Sequence, residues 1–433
     1  MRAVGITARG GSGPATERTV RPARALLVDL TFYGVCALYA LSQAFASEFY
    51  GFRVWGAFAL VGYGLAAVHT GWLLAQSRTR PPRPGARWIP LAVVAGLCMV
   101  VPLVVLVIRR LTGVDWLITP GSWAAQPEVW VIERSAALLL SQGTPYVDVF
   151  SLGRPPEVND YTPYGPVMTV FGLPRALFGG TPVGDALTDA RLFFALGAAL
   201  CVFATLRLLG SPRLPVRGVQ LALAFPLTTL TFAVAGPDLA ILGPMVLAVA
   251  LAARDRPVAA AVVIGLVGNA KLLALLAAPV LAFLVAARLG RKGLGAHLLT
   301  LLGTSILLNV PVWLVDPAAF TEHVIRFPAG LGAVSSPAAS PLPGHLIAST
   351  GTAGTAIAFA LLACAAVAIA FWLFRRPPVT GSDTLLRTAI GLGAFALLTP
   401  ATRFGYLVYP VVLIGAMLCF RRGGESPARA TSS

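Results

Sequence analysis

Long apolar stretches recur along this chain and constrain its fold more than any other feature. Between Ala25 and Phe420 they follow one another at lengths of roughly 17 to 22 residues, enough for an α-helix to cross a bilayer. Hydrophobic residues make up 57% of the sequence and charged residues 12%, about half the charged share of a soluble protein. The sequence therefore predicts an all-α, polytopic membrane protein.

Twelve stretches are predicted to cross the membrane. They lie at residues 25–45, 55–76, 88–108, 191–209, 218–235, 238–253, 257–269, 271–287, 296–315, 352–374, 385–399 and 404–420. The prediction is one transmembrane domain over 25–420, with a disordered cytoplasmic N-terminus at 1–24 and a cytoplasmic tail at 421–433. The first apolar run ends in AFAS, which resembles a signal-peptidase site, but it is longer than a usual signal-peptide core and predicts an uncleaved anchor.

The distribution of charge predicts the orientation. With the N-terminus inside, 23 of the 33 basic residues fall in inside segments and 12 of the 17 acids fall outside, as the positive-inside rule requires. The net charge of +16 is therefore interpreted as a topology signal and not as a nucleic-acid-binding surface. We expect a plasma-membrane protein with both termini cytoplasmic, and any chemistry that needs a carboxylate on the outer face.

Two apolar segments require a choice. The run 257–287 is too long for one crossing and is basic at both ends, so a hairpin is predicted, with its turn at GNAK lifting Asn269 and Lys271 to the outer face. The run 163–179 contains Pro166, Gly172, Pro174 and Arg175, and is predicted to be interfacial or re-entrant. Two large outer loops result, at 109–190 and 316–351, and loops of that size often carry function.

Several functional classes lack their sequence signatures. The five cysteines lie in apolar stretches without paired spacing, which predicts neither a disulfide framework nor a zinc site. The chain has no phosphate-cradling Gly-x-x-x-x-Gly-Lys-Ser/Thr loop and no Gly-x-Ser-x-Gly elbow, so an ATP-driven pump is not expected. Trp116, Trp123 and Trp130 are spaced seven residues apart in the first outer loop and suit the membrane boundary.

The segment QPEVWVIERSAALLLSQGTPY, residues 126–146, predicts a helix on the outer membrane surface. Pro127 suits its first turn and Gly143 its end, with Val129, Ile132, Ala136, Leu139 and Leu140 on one apolar side. It carries two carboxylates, Glu128 and Glu133. A carboxylate in the first turn is also stabilised by the helix dipole, by ~0.3 to 1 kcal/mol, without any functional role. Spacing alone leaves both interpretations open.

A lysine close to the bilayer is costly, by about 2.5 to 3.5 kcal/mol on insertion scales, and tends to face a partner or a site. At the hairpin tip Lys271 would meet an anion such as the phosphate of a polyprenyl phosphate; a snorkelling lysine without a ligand is the alternative. Other polar residues expected on this face are Asp160, Tyr161, Tyr164, Arg175, Glu322, His323, Arg326, His345 and Arg403.

These motifs together resemble glycosyltransferase family 87, the polyprenyl-phosphate-mannose-dependent α-(1,2)-mannosyltransferases of the GT-C superfamily. The Arg-rich, Lys-poor composition resembles the actinobacterial type. In that family an acid in the first large outer loop precedes an A...LL..G..PY stretch and a Y.P element. The matching residues are Ala136, Leu139, Leu140, Gly143, Pro145, Tyr146, Tyr161, Pro163 and Tyr164. The family acid is usually aspartate, and the register favours Glu128, 15 residues before Gly143.

The resemblance implies that mannose is transferred from a polyprenyl phosphate to a lipid or glycan acceptor on the outer face, with inversion. Glu128 would be the base, with Glu133 as its rival, and Lys271 and Arg403 would bind the donor phosphate. The residues expected to bind substrate are Tyr146, Asp160, Tyr161, Tyr164, His323, Arg326 and His345. The other expected partners are membrane lipids; no cofactor, obligatory metal ion or nucleic acid is expected.

Two other functional classes remain open from the sequence. A transporter or lipid flippase could use a broken hairpin with a membrane lysine, but it should carry charges in several spans. Here the spans are nearly free of charge, with Asp29 and His69 as the main exceptions, which favours an enzyme. The other alternative is a catalytically silent partner of cell-wall enzymes.

Overall fold

The computed structural model of the protein describes residues 15–80, 83, 85–109, 112 and 120–421, with side chains of the first helix described from residue 23. Most of the predicted disordered N-terminus and cytoplasmic tail lie outside these residues. So do Asp115 and Trp116 of the first outer loop, whose predicted outer-face positions therefore stay predictions.

The described residues form eighteen α-helices. These are α1 (Ala15–Ala46), α2 (Tyr50–Gln76), α3 (Trp88–Val94), α4 (Val101–Arg109), α5 (Pro127–Gln142), α6 (Leu173–Phe178), α7 (Pro182–Leu187), α8 (Ala190–Leu208), α9 (Val216–Ala222), α10 (Pro226–Val234), α11 (Pro237–Ala253), α12 (Pro257–Gly268), α13 (Ala278–Val315), α14 (Pro317–Phe320), α15 (Pro343–Ala348), α16 (Thr352–Arg375), α17 (Gly381–Leu398) and α18 (Val408–Phe420). Among these residues the structure contains no strand, only an isolated bridge between Ala339 and Thr402.

The all-α, multi-pass architecture is confirmed. Six helical segments are long and apolar enough to cross a membrane, or seven if α9 and α10, bent by 46°, form one span. Three shorter apolar helices accompany them, Pro237–Ala253, Pro257–Gly268 and Phe404–Phe420. The twelve predicted stretches are mostly helical, although residues 223–225 interrupt the stretch 218–235. The number of crossings stays a prediction. The first helix begins at Ala15, ten residues before its predicted span.

The broken segments follow from their prolines and glycines. Helix α13 contains Gly290 at φ 64° and ψ −162°, a conformation that only glycine adopts readily, and this residue separates the predicted spans 271–287 and 296–315. The apolar run 163–179 is divided into a 3₁₀ segment, Pro166–Phe171, and α6. Neither piece is long enough to span a bilayer.

Helix α11 lies at the centre of the main hydrophobic core. From Leu239 to Ala252 every residue except Pro244 and Leu247 is buried, so the helix is enclosed on all sides. Small residues permit close helix contacts at its edge: a Cβ on Gly243 would lie 3.0 Å from the Cα of Ala198 in α8. This central helix carries Asp238 in its first turn, at the end of the bundle where the hairpin reverses.

The predicted hairpin is present, and it defines two ends of the bundle. The chain reverses between α12 and the 3₁₀ segment Leu272–Ala277, and Arg288 then returns to Asp255 with Nε to Oδ1 at 2.8 Å. We call the end with Lys271 the tip end and the end with Asp255 and Arg288 the basic end. Helix α11 runs from the tip end to the basic end, since Asp238 lies near Lys271 and Asp255 lies near Arg288.

Candidate active site

Hydrogen bonds from both sides hold the turn of the hairpin. The amide Nδ2 of Asn269 donates to the Gly265 carbonyl at 2.7 Å and to Ser305 Oγ at 3.0 Å, which ties the turn to the last part of α13. Asn309 donates to the Asn269 side-chain oxygen. The turn is therefore fixed from within the bundle, and Lys271 follows it in an extended conformation.

Lys271 forms an ion pair with Asp238 inside a ring of tyrosines. The Tyr409 hydroxyl donates to the same Asp238 oxygen at 2.7 Å. The ammonium lies 5.3 Å from the centre of the Tyr406 ring, 5.7 Å from that of Tyr409 and 6.0 Å from that of Tyr164. Ring faces attract a cation at these distances. The site thus holds a positive charge against one carboxylate and three aromatic rings.

Tyr164 reaches this ring because two backbones meet very closely. Gly165 N donates to the Ala270 carbonyl at 3.0 Å and Val167 N to the Asn269 carbonyl at 3.3 Å. A Cβ on Gly165 would lie 2.0 Å from the Asn269 carbonyl oxygen, a contact that no side chain can make. Glycine is therefore required at position 165 for the interfacial segment to dock on the hairpin turn.

A second ion pair lies beside the first. Arg403 Nη1 donates to Glu128 Oε1 at 2.5 Å, joining the segment before α18 to the first turn of α5, 275 residues apart. The Glu128 carboxylate is close enough to act electrostatically on both Lys271 and Tyr164. Two carboxylates and two cations, ringed by tyrosines, therefore form one partly buried cluster. We call Glu128, Asp238, Lys271 and Arg403 the charge cluster.

Both cations of the charge cluster stay protonated. Burial opposes the charged form of Lys271, but Asp238 and the other neighbouring groups outweigh it and raise the pKa of the ammonium above its usual value. The same balance, with Glu128 as the main partner, raises the pKa of Arg403. Burial, followed by the Glu128 charge, holds the pKa of Tyr164 well above its usual range, so its hydroxyl is neutral. The cluster can offer two cations to an anion at neutral pH.

A second cluster joins the two large loops that the sequence predicts to be outer loops, 109–190 and 316–351. Tyr161 OH donates to Glu322 Oε1 at 3.0 Å, and the Thr162 amide donates to His323 Nδ1 at 2.8 Å. His323 Nε2 lies 2.8 Å from the Val147 carbonyl, and the histidine is fully buried. Tyr146 packs on the imidazole at 5.3 Å between ring centres. We call this group the loop-docking cluster.

The loop-docking cluster reaches the charge cluster through the backbone. Buried Tyr146 donates its hydroxyl hydrogen to the Tyr164 carbonyl at 2.9 Å, which fixes the residue whose ring faces Lys271. Arg326 pairs with Glu322 at 2.9 Å and is more than half exposed. The structure thus brings together four predicted substrate residues, Tyr146, Tyr161, His323 and Arg326. They position Tyr164 and do not form part of the charge cluster.

Docking of the loop 316–351 is expected to weaken in acid. Burial lowers the pKa of His323 to about 4, although its bond to Val147 favours the charged form. A released histidine titrates near 6.5. Proton binding therefore favours the undocked loop as the pH falls below 6.5. The free energy of docking becomes less favourable by about 2 kcal/mol between pH 7 and pH 5. Hydrogen exchange of residues 321–333, corrected for its intrinsic pH dependence, should show less protection at pH 5.

The variant His323→Gln serves as the control for that experiment. A glutamine can accept from the Thr162 amide but does not titrate, so the loop should exchange faster overall and without the acid-dependent step. Equal protection of the wild-type loop at pH 7 and pH 5 would contradict the assignment of a neutral, docking histidine.

The remaining predicted residues lie apart from the charge cluster. Glu133 is buried on the packed face of α5, where it accepts from the Ala190 amide at 3.1 Å and lies 3.3 Å from Arg175. Asp160 forms a bidentate pair with Arg154, at 2.8 Å for each bond. His345 Nδ1 lies 2.9 Å from the carbonyl of Pro400, and Pro400 belongs to the segment that leads to Arg403. Glu133 and His345 each hold one segment against another, whereas Asp160 orders its own loop.

Three residues of this site were not predicted from the sequence to belong to it. Asp238 was recognised only as one of twelve outer acids, and Tyr406 and Tyr409 only as part of an apolar span. A signal was present in both places. Asp238 follows Gly-Pro at the start of an apolar helix, and the segment RFGYLVY puts two tyrosines at helical spacing after Arg403.

Comparison with known proteins identifies the family. Residues 161–400, more than half of the chain, match the model of glycosyltransferase family 87. The chain belongs to glycosyltransferase family 87. It is therefore a membrane glycosyltransferase, and the expected family is confirmed over the transporter alternative. No curated protein and no solved structure matches the chain. The matched region contains Tyr164, Asp238 and Lys271, while Glu128 and Arg403 flank it.

Proposed function

We propose that this family 87 glycosyltransferase moves a sugar, mannose, from a polyprenyl phosphate to a hydroxyl of a lipid or glycan acceptor, with inversion. The observation that carries this proposal is the charge cluster, in which Lys271 and Arg403 lie together beside two carboxylates. A leaving phosphate gains negative charge in the transition state, and preorganised cations stabilise it. A prenyl tail can lie along the exposed apolar helices while its phosphate reaches the tip end.

Glu128 is the proposed base. Its carboxylate takes the proton from the acceptor hydroxyl as the hydroxyl oxygen forms a bond to the anomeric carbon. The bond from that carbon to the phosphate oxygen breaks, and polyprenyl phosphate leaves with its electron pair against Lys271 and Arg403. One carboxylate and two cations complete this displacement, so the proposal requires no divalent ion.

Binding of the donor would also prepare the base. Arg403 is now paired with Glu128, and Lys271 with Asp238, so neither cation faces a ligand. A donor phosphate that draws Arg403 toward itself frees the Glu128 carboxylate to accept a proton. Asp238 keeps its second donor, Tyr409 OH, and would hold Lys271 in place during this exchange.

The tip end is the proposed outer face of the plasma membrane, with both termini on the cytoplasmic side. The argument is the separation of charge between the ends. Arg288 lies at the basic end, and by the positive-inside rule arginines are more frequent on the cytoplasmic side. The charge cluster and the loop-docking cluster lie at the other end. A polyprenyl-linked donor then meets the site from the outer leaflet.

Transfer by the purified protein tests this function directly. We expect radiolabel to pass from polyprenyl-phosphate mannose to acceptors extracted from membranes, at the same rate with and without a chelator of divalent cations. Polyprenyl-phosphate glucose and a nucleotide-linked mannose serve as donor controls, and heat-treated protein as the blank. If no polyprenyl-phosphate sugar is consumed, the proposed donor is wrong. Loss of transfer on chelation would reject the metal-free mechanism alone.

A further inference from the structure

A pocket of about 490 Å³ opens at the end of the bundle opposite the charge cluster. It lies between the start of α3 and the start of α9. Its lining comprises Arg87, Trp88, Arg213 and Arg217 with residues 214–216. The pocket belongs to the basic end because α18 runs from Tyr409 at the tip end to Cys419, whose sulfur lies 2.8 Å from a Cβ on Gly218.

The lining carries more positive charge than its own carboxylate can balance. Asp29 of α1, almost fully buried, receives Arg87 in a bidentate pair at 2.7 and 3.1 Å and Arg217 at 3.4 Å. Gln220 donates to the same carboxylate at 3.0 Å. Asp29 thus fixes two guanidinium groups at the pocket wall. Three arginines against one aspartate leave two positive charges in excess.

Arg213 is the arginine of the pocket that has no bonding partner among the described residues. It is exposed, and within the part of the chain that the structure describes it makes no hydrogen bond, ion pair or ring contact. The side chains of Arg87 and Arg217 are about one-third exposed despite their bonds to Asp29. All three can therefore reach an anion in the pocket while Asp29 keeps two of them in place.

Apolar surface continues from the rim of the pocket. Trp88 is 39% exposed and Ile89 is 50% exposed, and both stand at the first turn of the candidate span Trp88–Arg109. Indole prefers the boundary between headgroups and hydrocarbon. A ligand bound here would have its charge against the arginines and its apolar part along α3.

We propose that this pocket binds the phosphate of an anionic phospholipid. Basic pockets between transmembrane helices on the cytoplasmic side recognise such headgroups. The phosphate would accept hydrogen bonds from Arg213 and from the guanidinium nitrogens of Arg87 and Arg217 that Asp29 leaves free. The acyl chains would pack beside Trp88 and Ile89. The lipid joins α1, α3 and α9 at a point far from the charge cluster.

Lipid binding to the full-length protein in neutral detergent tests the proposal. Phosphatidylglycerol and phosphatidylcholine of the same chain length are titrated separately, and bound lipid is counted by native mass spectrometry. Two excess charges predict about thirtyfold tighter binding of phosphatidylglycerol, and Arg213→Gln should weaken it about fivefold. The matched control is Arg291→Gln, which removes an exposed arginine from the basic end outside the pocket and should leave binding unchanged.

Three results would overturn the proposal. Equal binding of the two lipids removes the charge selectivity, and equal losses in the Arg213→Gln and Arg291→Gln variants mean that the selectivity comes from the whole basic surface. The third is displacement of phosphatidylglycerol by equimolar inorganic phosphate, which would make the pocket a free-phosphate site. None of these outcomes depends on sugar transfer, so they are separate from the test of the proposed function.

Discussion

Replacing Glu128 by glutamine is expected to lower the rate of sugar transfer about a thousandfold, within the 10² to 10⁴ range of a lost general base. Glutamine keeps the shape of the side chain, and its oxygen can still accept from Arg403, so the charge cluster should stay assembled. What is lost is the ability to take the acceptor proton. The measurement is single-turnover transfer with saturating donor, together with thermal unfolding in detergent.

The matched control is Glu133→Gln on the same helix. Glu133 accepts from the Ala190 amide and neighbours Arg175, and a glutamine can keep the first of these interactions. We therefore expect transfer to persist with a lower unfolding temperature, the reverse of the Glu128 result. If the Glu128→Gln protein transfers normally and the Glu133→Gln protein does not, the base has been assigned to the wrong carboxylate.

The different fates of these two carboxylates show what the sequence could predict. The helix Pro127–Gln142 and its end at Gly143, with φ 78°, follow from proline, glycine and apolar spacing, and the structure confirms both. Val129, Ile132 and Ala136 of the expected apolar side are fully buried. Glu133 is buried with them, which was not predicted. Glu133 is buried because it binds groups of other helices, and the periodicity of its own helix cannot show such partners.

Long-range pairing explains the rest of what was missed. The sequence placed Glu128, Lys271 and Arg403 on one face, but their distances depend on how α5, the hairpin and the segment before α18 converge. Asp238 was missed because an acid in the first turn of a helix is common for electrostatic reasons alone. His323 was expected to be one of several polar loop residues, yet the fold buries it. A single chain cannot reveal such contacts by spacing.

Lys271→Gln is the second substitution with a large expected effect. Removing a preorganised cation from a developing phosphate charge typically costs 10² to 10³ in rate, so we expect kcat/KM for the donor to fall about 300-fold. The change also leaves Asp238 partly buried without its cation, which destabilises the protein. Steady-state kinetics with varied donor, and unfolding temperature, report the two effects separately.

The double variant Lys271→Gln/Asp238→Asn separates binding from folding. It removes both charges of the pair, and Tyr409 can still donate to the asparagine oxygen, so stability should return toward that of the wild type. Transfer should not return, because the phosphate still lacks its cation. Asp238→Asn alone keeps Lys271 and should raise the donor KM about tenfold with a smaller change in kcat, as expected for a residue that positions the ammonium. Restored transfer in the double variant would instead show that Lys271 serves only to neutralise Asp238, and Arg403 alone would then have to bind the donor phosphate.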